Sequence, residues 1–455
     1  MSLLTEAEAR NILQKVLALS KADECSVGLS GARRGNVRFA RNAVSTSGGS
    51  DTLSLGITAS FGPKSGFATI NEFDDASLAR AVRSAEELAR LSPDDPEHIE
   101  VAGPQKYLEP VSFFQSTASL TQQDRVNATA ASLKICRDQK LTAAGYLADG
   151  AMFSSIANSR GLFGYQRSTQ VDFTVTARTE DGRGSGYGIA DFDDFKQLDT
   201  AAITQVAARK SGLSQGARAI EPGKYTVILE PAAAATLIGN MRFAMNARST
   251  DEGRTFLSKA GGGTRVGEKL MDERVHIYTD PMNAQLPGAK WSAGGTAQKR
   301  HDLIEGGVVR NVLYSRYWAR KQGLSEDKVP LGGGGGGGGG GRGGEGGGGL
   351  IMDGTNTSLE DLIKGVKRGV LVTNLWYIRA VDPQTLLYTG LTRDGTFYVE
   401  NGEIKYPVKN FRFNESPVIM LNNLEALGRQ TRVNNNLIPS MVIRDFTFSS
   451  LSDAV

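Results

Sequence analysis

Apolar residues recur at helical spacing at the start of the chain and then begin to alternate with polar ones. The first segment, MSLLTEAEARNILQKVLALSK, places its apolar residues on one face of a helix, which predicts an amphipathic surface helix and no signal peptide. The runs CSVGLSG, NVRFARN, TLSLGITASFG and SGFATIN come next. Each run alternates and is bounded by turn residues, so together they predict an antiparallel meander.

Helical spacing returns three times before residue 215. A linker separates the first two of these segments, and three strands separate the second from the third. DDASLARAVRSAEELARLSP predicts a helix capped by Asp74 or Asp75 and stopped by Pro93, and LTQQDRVNATAASLKICRDQKL predicts one capped by Thr121. Three alternating runs then predict strands, and DTAAITQVAARKSGLSQ predicts a further helix. The first half of the chain therefore mixes helices with antiparallel strands.

The pattern restarts at Pro222 and becomes rich in strands. An apolar strand leads into an Ala-rich helix in GKYTVILEPAAAATLIGNMRFAMNA, and beyond residue 274 only SLEDLIKGVKRGV, capped by Ser358, predicts a helix. IEGG and VENGE predict hairpin turns. We therefore expect an α+β protein with an N-terminal α+β domain (1–105), a central α+β region (106–220) and a β-rich C-terminal domain (221–455).

A glycine run interrupts this last domain. Ten glycines occupy 332–341 without a break, within a Gly-rich stretch at 331–350 whose flanks have globular patterning. An insert in one loop fits this setting better than an interdomain linker, and we expect a flexible flap. An RGG-type nucleic-acid arm is disfavoured because only one RGG occurs, without interleaved aromatic residues. Native glycine and glycine written for unknown residues stay open as origins of the run.

Composition excludes several classes of protein. The chain has 40% hydrophobic and 22% charged residues and a net charge of +3, which is ordinary for a globular protein and too weak to imply nucleic acid or a membrane as partner. No apolar window is long enough to span a membrane. The two cysteines, Cys25 and Cys136, are far apart, so we expect a reducing, cytoplasmic setting, with Cys136 as a buried thiol.

Common catalytic motifs are absent from the sequence. The three histidines lack the spacing of a HExxH helix, and neither a GxSxG elbow nor a P-loop occurs. His301 is interpreted as a solvated histidine at the end of a strand, and GGGTRVGEKL as a tight turn. The run YSRYWARK places Arg316, Trp318 and Arg320 on one face of a predicted strand, where they are candidates for binding an extended chain or a carboxylate.

Several segments, in their order along the chain, resemble the TldD/PmbA (TldD/TldE) family. The resemblance rests on VRFARNAVSTSGG, EPGKYTVILEPAAAATLI, GGGTRVGEKL, DLIEGGVVRNVLYSRYWARKQG, TNTSLEDLIKGVKRGVLVTN and IPSMVIRDFTFSS. The family is similar to zinc peptidases that act as two-subunit complexes on unfolded or leader-bearing peptides. One subunit carries zinc through a His-Glu-x-x-x-His helix and a late Cys, and the other subunit lacks these ligands.

This chain departs from the family's zinc motif. By our register the ligand and base positions fall on Gly239, Asn240 and Ala244, and the late Cys position falls on Ala426 or Leu427. No His, Cys, Asp or Glu occurs from 231 to 250, and no Cys follows Cys136. The resemblance therefore implies a PmbA/TldE-like member that holds no metal or other cofactor and is inactive alone.

The resemblance also implies partners and a surface. We expect a zinc-bearing TldD-like subunit, or a second copy of the chain, as partner, and a peptide as substrate. Candidates for contacting the peptide are Arg242, the three residues of YSRYWARK named above, and Asn356 and Thr357 of TNTS. Two alternatives remain: an active peptidase with a non-standard site, and a regulatory protein-binding module.

Overall fold

A computed structural model describes residues 3–332 and 349–452 of the chain. Its described residues form helices and two large sheets, which confirms the expected α+β class. The boundaries expected at 105 and 220 stay predictions, although one sheet runs through both of the first two regions. No helix among the described residues is long and apolar enough to cross a membrane.

The first sheet is antiparallel and has six strands. Its order is β3-β2-β1-β4-β5-β6, so two hairpin units meet through β1 and β4. The predicted meander and the three later strands are both present. The strands are β1 (Glu24–Ala40), β2 (Ala43–Phe61), β3 (Lys64–Ile70), β4 (Leu141–Asn158), β5 (Phe163–Thr179) and β6 (Ser185–Phe192).

Helices cover this sheet, and their ends follow the predicted caps. Asp74 accepts a hydrogen bond from the backbone N–H of Ser77, and Thr121 forms a capping box with Asp124. Apolar residues of the first two helices pack on β1 and β2, and those of the later pair pack on β4 and β5. The helices are α1 (Glu6–Leu19), α2 (Asp75–Leu91), α3 (Gln115–Ala118), α4 (Gln122–Asp138) and α5 (Thr200–Leu213), with a 3₁₀ turn at Phe195–Gln197.

The second sheet has eleven strands, five of which close into a ring. β7 pairs with β12 on one side and with β17 on the other, while β13 and β15 complete the circuit. The strands are β7 (Gly223–Leu229), β8 (Ile277–Thr279), β9 (His301–Glu305), β10 (Val308–Val309), β11 (Ile351–Met352), β12 (Arg368–Asp382), β13 (Leu387–Glu400), β14 (Glu403–Pro407), β15 (Phe411–Glu415), β16 (Leu424–Val433) and β17 (Asn436–Leu451).

Helices of this half are short, and the strand-rich expectation is confirmed. They are α6 (Pro231–Ala244), α7 (Ala247–Asp251), α8 (Arg316–Lys321), α9 (Leu359–Lys364) and α10 (Pro417–Asn422), with a 3₁₀ turn at Ala293–Gly295. Both predicted hairpin turns are present. Gly306 and Gly307 have φ of 59° and 74°, and Asn401 and Gly402 have φ of 52° and 78°, as type I′ turns require.

Two predicted elements are wrong, and α10 contradicts the expectation of a single helix beyond residue 274. The helix capped by Ser358 ends at Lys364, because residues from Arg368 onward form ladder hydrogen bonds with β13 and β7 instead. YSRYWARK is helix α8 and not a strand. In the first segment, pairing with neighbouring strands overrides the helical preference of the short-range pattern. In the second, the Ser315 cap overrides its strand preference.

Candidate functional site

Helix α6 lies against the ring of strands and carries the positions expected to hold metal ligands. It begins at Pro231, directly after β7, and its small buried side chains pack on β17 and β12. Glu230, the residue before it, forms an ion pair with Lys210 of α5 at 2.6 Å and accepts a hydrogen bond from the Thr373 hydroxyl at 3.2 Å. These contacts fix the helix between the two sheets.

The three expected ligand positions offer no metal-binding side chain. A Cβ added to Gly239 would lie 3.9 Å from Nδ2 of Asn436. Asn240 is half-buried, and its backbone carbonyl accepts a hydrogen bond from the Tyr388 hydroxyl at 3.4 Å. Ala244 packs on the apolar core. Zinc takes thiolate, imidazole or carboxylate ligands, so the side chains at these positions do not fit a zinc ion.

The late position on β16 does not fit a ligand either. Leu427 is buried in the same apolar cluster as α6, whereas Ala426 packs on the opposite side of β16 with Ile228 and Leu362. Across the two described stretches, no three His, Cys, Asp or Glu side chains are grouped so that they could hold a metal ion. The side chains therefore argue against a zinc site built on the family's pattern.

Arg242 is the charged side chain in the last turn of α6. It is half-buried, and desolvation lowers the pKa of its guanidinium from the ordinary value. A cation at this end of the helix is favourable because the helix dipole is negative there. Arg242 thus has a structural role, and its predicted contact with peptide stays a prediction.

Both ends of the glycine-rich stretch lie near the C-terminal half of α6. On one side Gly332 approaches Leu313, whose amide donates to the carbonyl of Met245 at 2.7 Å. On the other side the amide of Leu350 donates at 2.9 Å to Asn436, the residue facing Gly239. The predicted flap itself, residues 333–348, lies outside the described residues.

The arginines of YSRYWARK already have a carboxylate partner within the chain. Ser315 caps α8, and because residues four apart share a helix face, Arg316 and Arg320 both bind Glu326, each at 2.6 Å. Trp318 is buried, and its indole N–H donates to Asp251 at 2.6 Å. The prediction that Arg316, Trp318 and Arg320 share one face is therefore wrong. The two arginines bind the carboxylate of Glu326 within the chain, where we expected them to bind the carboxylate of a ligand.

The TNTS candidates lie beside the late position of β16. The Thr355 amide donates to the carbonyl of Gly428 at 2.8 Å, and the Thr355 hydroxyl donates to the carbonyl of Leu427 at 2.6 Å. Asn356 is exposed, and the carbonyl of Thr357 accepts from a backbone amide of β16. The structure thus brings TNTS close to the strand that the resemblance pointed to, while a role in peptide binding stays a prediction.

Large exposed apolar side chains around α6 were missed by the sequence analysis. Phe243, in the last turn of α6, is 82% exposed. Trp376, Tyr377 and Val381 on β12 and Ile419 on α10 are each about half exposed, and both elements pack against α6. We call these five residues the apolar patch. The segment LWYIRAV is apolar apart from Arg379, but which of its side chains face solvent depends on the tertiary fold.

The backbone of β12 is irregular at this patch. Its register against β13 shifts between Trp376 and Arg379, and Tyr377 has φ of 54°. This left-handed conformation is unfavourable for a bulky side chain. The Arg379 guanidinium lies 4.5 Å from the centre of the Tyr377 ring, and Arg393 lies 4.2 Å from that of Trp376. The bulge thus turns two cation-backed aromatic rings outward.

The histidines and cysteines occupy more specific settings than the sequence indicated. His276 contacts Asp353 through Nδ1 at 2.7 Å and Asp302 through Nε2 at 2.9 Å, a grouping from three strand ends that no spacing reveals. His301 begins β9, but it is half-buried, and desolvation lowers its pKa to about 4, so the solvated interpretation is wrong. The buried setting of Cys136 is confirmed, and burial raises its pKa to about 11.

Comparisons with known proteins agree with the resemblance. Three domain models of the PmbA/TldA metallopeptidases match residues 25–89 (domain 1), 119–214 (central domain) and 222–450 (C-terminal domain). The metalloprotease PmbA of Escherichia coli O157:H7 is 24% identical, over 97% of this chain and 98% of its own length. A metalloprotease of Methanothermobacter thermautotrophicus is 23% identical over 62% of this chain and 61% of its own length.

Solved structures share the fold over nearly the whole chain. TldE from Thermococcus kodakarensis superimposes with a TM-score of 0.84 at 18% identity, covering 97% of this chain and 99% of its own. A putative modulator of a DNA gyrase from Thermotoga maritima gives 0.85 at 17% identity, covering 97% of this chain and 100% of its own. At this identity the likeness establishes the fold alone.

Proposed function

Since the chain belongs to the PmbA/TldD metallopeptidase family, we propose that it is a member without a catalytic metal, which holds peptide beside a zinc-bearing relative. One observation carries this proposal: α6 occupies its place against the strand ring, yet Gly239, Asn240 and Ala244 stand where the family's motif requires two ligands and a base.

The replaced side chains cannot perform metal-dependent hydrolysis. A catalytic zinc needs about three protein ligands and an open position for water. A general base, usually a carboxylate, then removes a proton from that water. Gly239 and Ala244 have no donor atom, and the amide of Asn240 is not basic. We therefore derive no catalytic step from this chain.

The apolar patch supports the peptide-holding role. Large contiguous apolar surfaces are uncommon on monomers and mark interaction sites. The patch lies on the helix that would carry the catalytic group in an active relative and on two elements packed against it. Beyond Val372, moreover, β12 pairs with no strand on its β7 side among the described residues. A strand with a free edge and aromatic side chains suits an extended peptide, because backbone groups supply affinity without demanding a sequence.

Elemental analysis and a peptidase assay test the absence of a catalytic metal. The purified chain is expected to hold no stoichiometric zinc and to leave an unfolded peptide uncut, whereas mixing with a zinc-bearing family member restores cleavage. Stoichiometric zinc together with cleavage by the isolated chain would overturn the proposal. Cleavage by the zinc-bearing member that is unchanged by this chain would reject the subunit role.

A matched pair of substitutions tests the apolar patch. Phe243→Ser removes a side chain 82% exposed in the last turn of α6, and Leu91→Ser removes one 83% exposed at the end of α2. Burying a large apolar side chain is worth about 1.5–3 kcal/mol, so Phe243→Ser should weaken binding of a fluorescent unfolded peptide about tenfold or more. Leu91→Ser should leave the affinity unchanged. Equal effects of the two would place the peptide elsewhere.

A further inference from the structure

Three arginines lie on one side of the neighbouring strands β12, β13 and β15. Leu391 of β13 is paired with Trp376 on β12 and with Arg412 on β15. Residues opposite one another on adjacent strands lie on the same face, as does every second residue along a strand. Arg393, two residues further along β13, and Arg379, paired two residues before Leu391, therefore share the face of Trp376. We call Trp376 and the three arginines the arginine face.

The opposite side of the same strands is core. Phe413 of β15 is fully buried in the main apolar cluster, and Ile378 of β12 packs against that cluster. A Cβ added to Gly390 of β13 would lie 2.7 Å from the Phe413 ring and 3.0 Å from the Ile378 side chain. The arginine face therefore points away from the core, and on it Trp376 is 47% exposed and Arg379 is exposed.

The positive charge of this face is poorly neutralised within the chain. Arg379 donates to the backbone carbonyl of the residue before it at 3.1 Å, and Arg412 donates to the Thr389 hydroxyl at 3.4 Å. Neither arginine forms an ion pair with another residue that the structure describes. Arg393 lies 3.7 Å from Asp394, a buried carboxylate that also accepts a hydrogen bond from β6. Since arginine stays charged, the face retains capacity for an anion.

The arginines of α8 show the contrast. Arg316 and Arg320 share the carboxylate of Glu326, each at 2.6 Å, so their charge is satisfied internally. On the arginine face, three cations stand on adjacent strands without such an acid, and like charges on neighbouring strands are destabilising. A local conflict of this kind is typical of a functional site, which indicates that the acid comes from a ligand.

Aromatic rings hold two of the guanidinium groups in place. Arg393 lies 4.2 Å from the centre of the Trp376 ring, and Arg379 lies 4.5 Å from that of Tyr377. A guanidinium stacked on a ring is held by cation–π attraction, and its N–H donors, which lie in the guanidinium plane, still reach sideways. These donors match the two oxygens of a carboxylate. The face is therefore suited to Asp and Glu side chains.

A peptide carboxylate suits this face better than a nucleic-acid phosphate. Single-stranded nucleic acid is bound along a basic groove by stacking of its bases on aromatic rings. Here each ring already holds a guanidinium on one side, and the net charge of the chain is only +3. The face also lies on β12, the strand whose edge is proposed above to hold an extended peptide.

We propose that the arginine face makes the chain selective for acidic peptides, by binding Asp or Glu at alternate positions of an extended peptide paired with β12. This inference rests on the proposed function and names the class of peptide that is held. A paired peptide places every second side chain on this side of the sheet, about 6.6 Å apart. Successive acidic side chains would then lie beside Arg393 and beside Arg379, while Arg412 adds to the attraction from two strands away.

Fluorescence anisotropy with three labelled peptides of equal length tests the selectivity. The peptides share their apolar residues and carry Glu, Gln or Lys at every second position. The unaltered chain should bind the Glu peptide about tenfold more tightly than the Gln peptide and the Lys peptide least tightly. Raising the salt concentration from about 0.05 M to about 0.5 M should reduce this preference, because the charges are partly exposed.

A matched pair of substitutions assigns the selectivity to the face. Arg379→Gln should reduce the preference for the Glu peptide over the Gln peptide about threefold, which is the scale of one exposed ion pair. Arg83→Gln makes the same change of charge at an exposed position of α2 and should leave the preference unchanged. Equal effects of the two substitutions would mean that overall charge sets the preference, and would overturn the inference.

The remaining outcomes separate this inference from the proposed function. Glu and Gln peptides that bind equally well would overturn the selectivity and leave the peptide-holding role standing. Absence of binding for all three peptides would overturn both. A single-stranded oligonucleotide that binds more tightly than the Glu peptide, with the same dependence on Arg379, would assign the face to nucleic acid and reject the acidic peptide as its ligand.

Discussion

The ion pair between Lys210 and Glu230 should be a main determinant of how the two sheets are joined. Lys210→Met replaces the ammonium by an apolar group of similar length and leaves the carboxylate without its partner. The side chains are only 7% and 12% exposed, and Nζ lies 2.6 Å from Oε2. Among the residues that the structure describes, Glu230 would retain only the Thr373 hydroxyl as a side-chain donor, which does not neutralise its charge.

The expected loss of unfolding free energy follows from this burial. Removing one member of a buried pair typically destabilises a protein by about 3–5 kcal/mol, because the other charge stays buried without compensation. With a urea m value of about 3 kcal/mol/M, this loss lowers the unfolding midpoint by about 1–1.7 M. The measurement is urea unfolding of the full chain, followed by circular dichroism and by tryptophan fluorescence.

A double variant distinguishes the contribution of the ion pair from the cost of leaving one of its charges buried alone. In Lys210→Met/Glu230→Gln no charge is left buried, and the Gln side chain still accepts from Thr373. We expect the double variant to recover at least half of the loss, since a buried pair can often be replaced at little cost. A loss below about 1 kcal/mol for Lys210→Met, which is the range of exposed pairs, would refute the argument from burial.

The remaining predictions concern pH and close packing. The folded-state pKa of His301 is about 4, below its ordinary 6.5. Its contribution to stability is therefore present above pH 6.5 and lost as pH falls toward 4, by up to about 3 kcal/mol. His301→Asn should make the urea unfolding midpoint less dependent on pH between 6.5 and 4. An unchanged dependence of the midpoint on pH would contradict the lowered pKa. Gly186→Ala should destabilise the chain by several kcal/mol, because the new Cβ would lie 2.1 Å from the carbonyl oxygen of Ala207. Gly212 lies on α5, the helix against which Gly186 of β6 packs, and a Cβ added at Gly212 would have no atom within 4 Å. Gly212→Ala should therefore stabilise the chain by about 0.4–1 kcal/mol; if both substitutions shift the melting temperature in the same direction, the packing argument fails.

Local signals predicted much of the first sheet and its helices. Alternation over many residues and side-chain caps such as Thr121 depend on neighbours in sequence, so the chain alone reveals them. YSRYWARK shows the limit of the same reasoning. Its alternation of charged and aromatic residues is typical of a strand, yet Ser315 caps it and Glu326 binds Arg316 and Arg320 from one helix face. Six residues are too few for periodicity to decide between these structures.

Groupings that span distant segments could not be predicted. His276, Asp302 and Asp353 come from three separate strand ends, and the apolar patch depends on which face of β12 meets α6. By contrast, the lack of His, Cys, Asp and Glu at residues 231–250 is evident from the sequence, because it concerns which side chains are present and not where they lie. The sequence was therefore most informative about chemistry that the chain lacks and least informative about surfaces that the fold creates.

Under the proposed function, α6 is a helix whose fold persists without metal chemistry. The helix is fixed by contacts that no metal ligand supplies: Glu230 at its start, small buried residues along one face, and ladder pairing of β7 with both β12 and β17 beneath it. Of the positions where the family's ligands and base were expected, Gly239 and Asn240 are half-buried and Ala244 is half-buried against the edge of the core. Substitutions at half-exposed positions cost little stability, because buried packing supplies most of the free energy of unfolding and surface changes are nearly neutral. Under the proposed function, this architecture serves peptide holding alone, and that function resides in the surface around the helix and not in the helix itself.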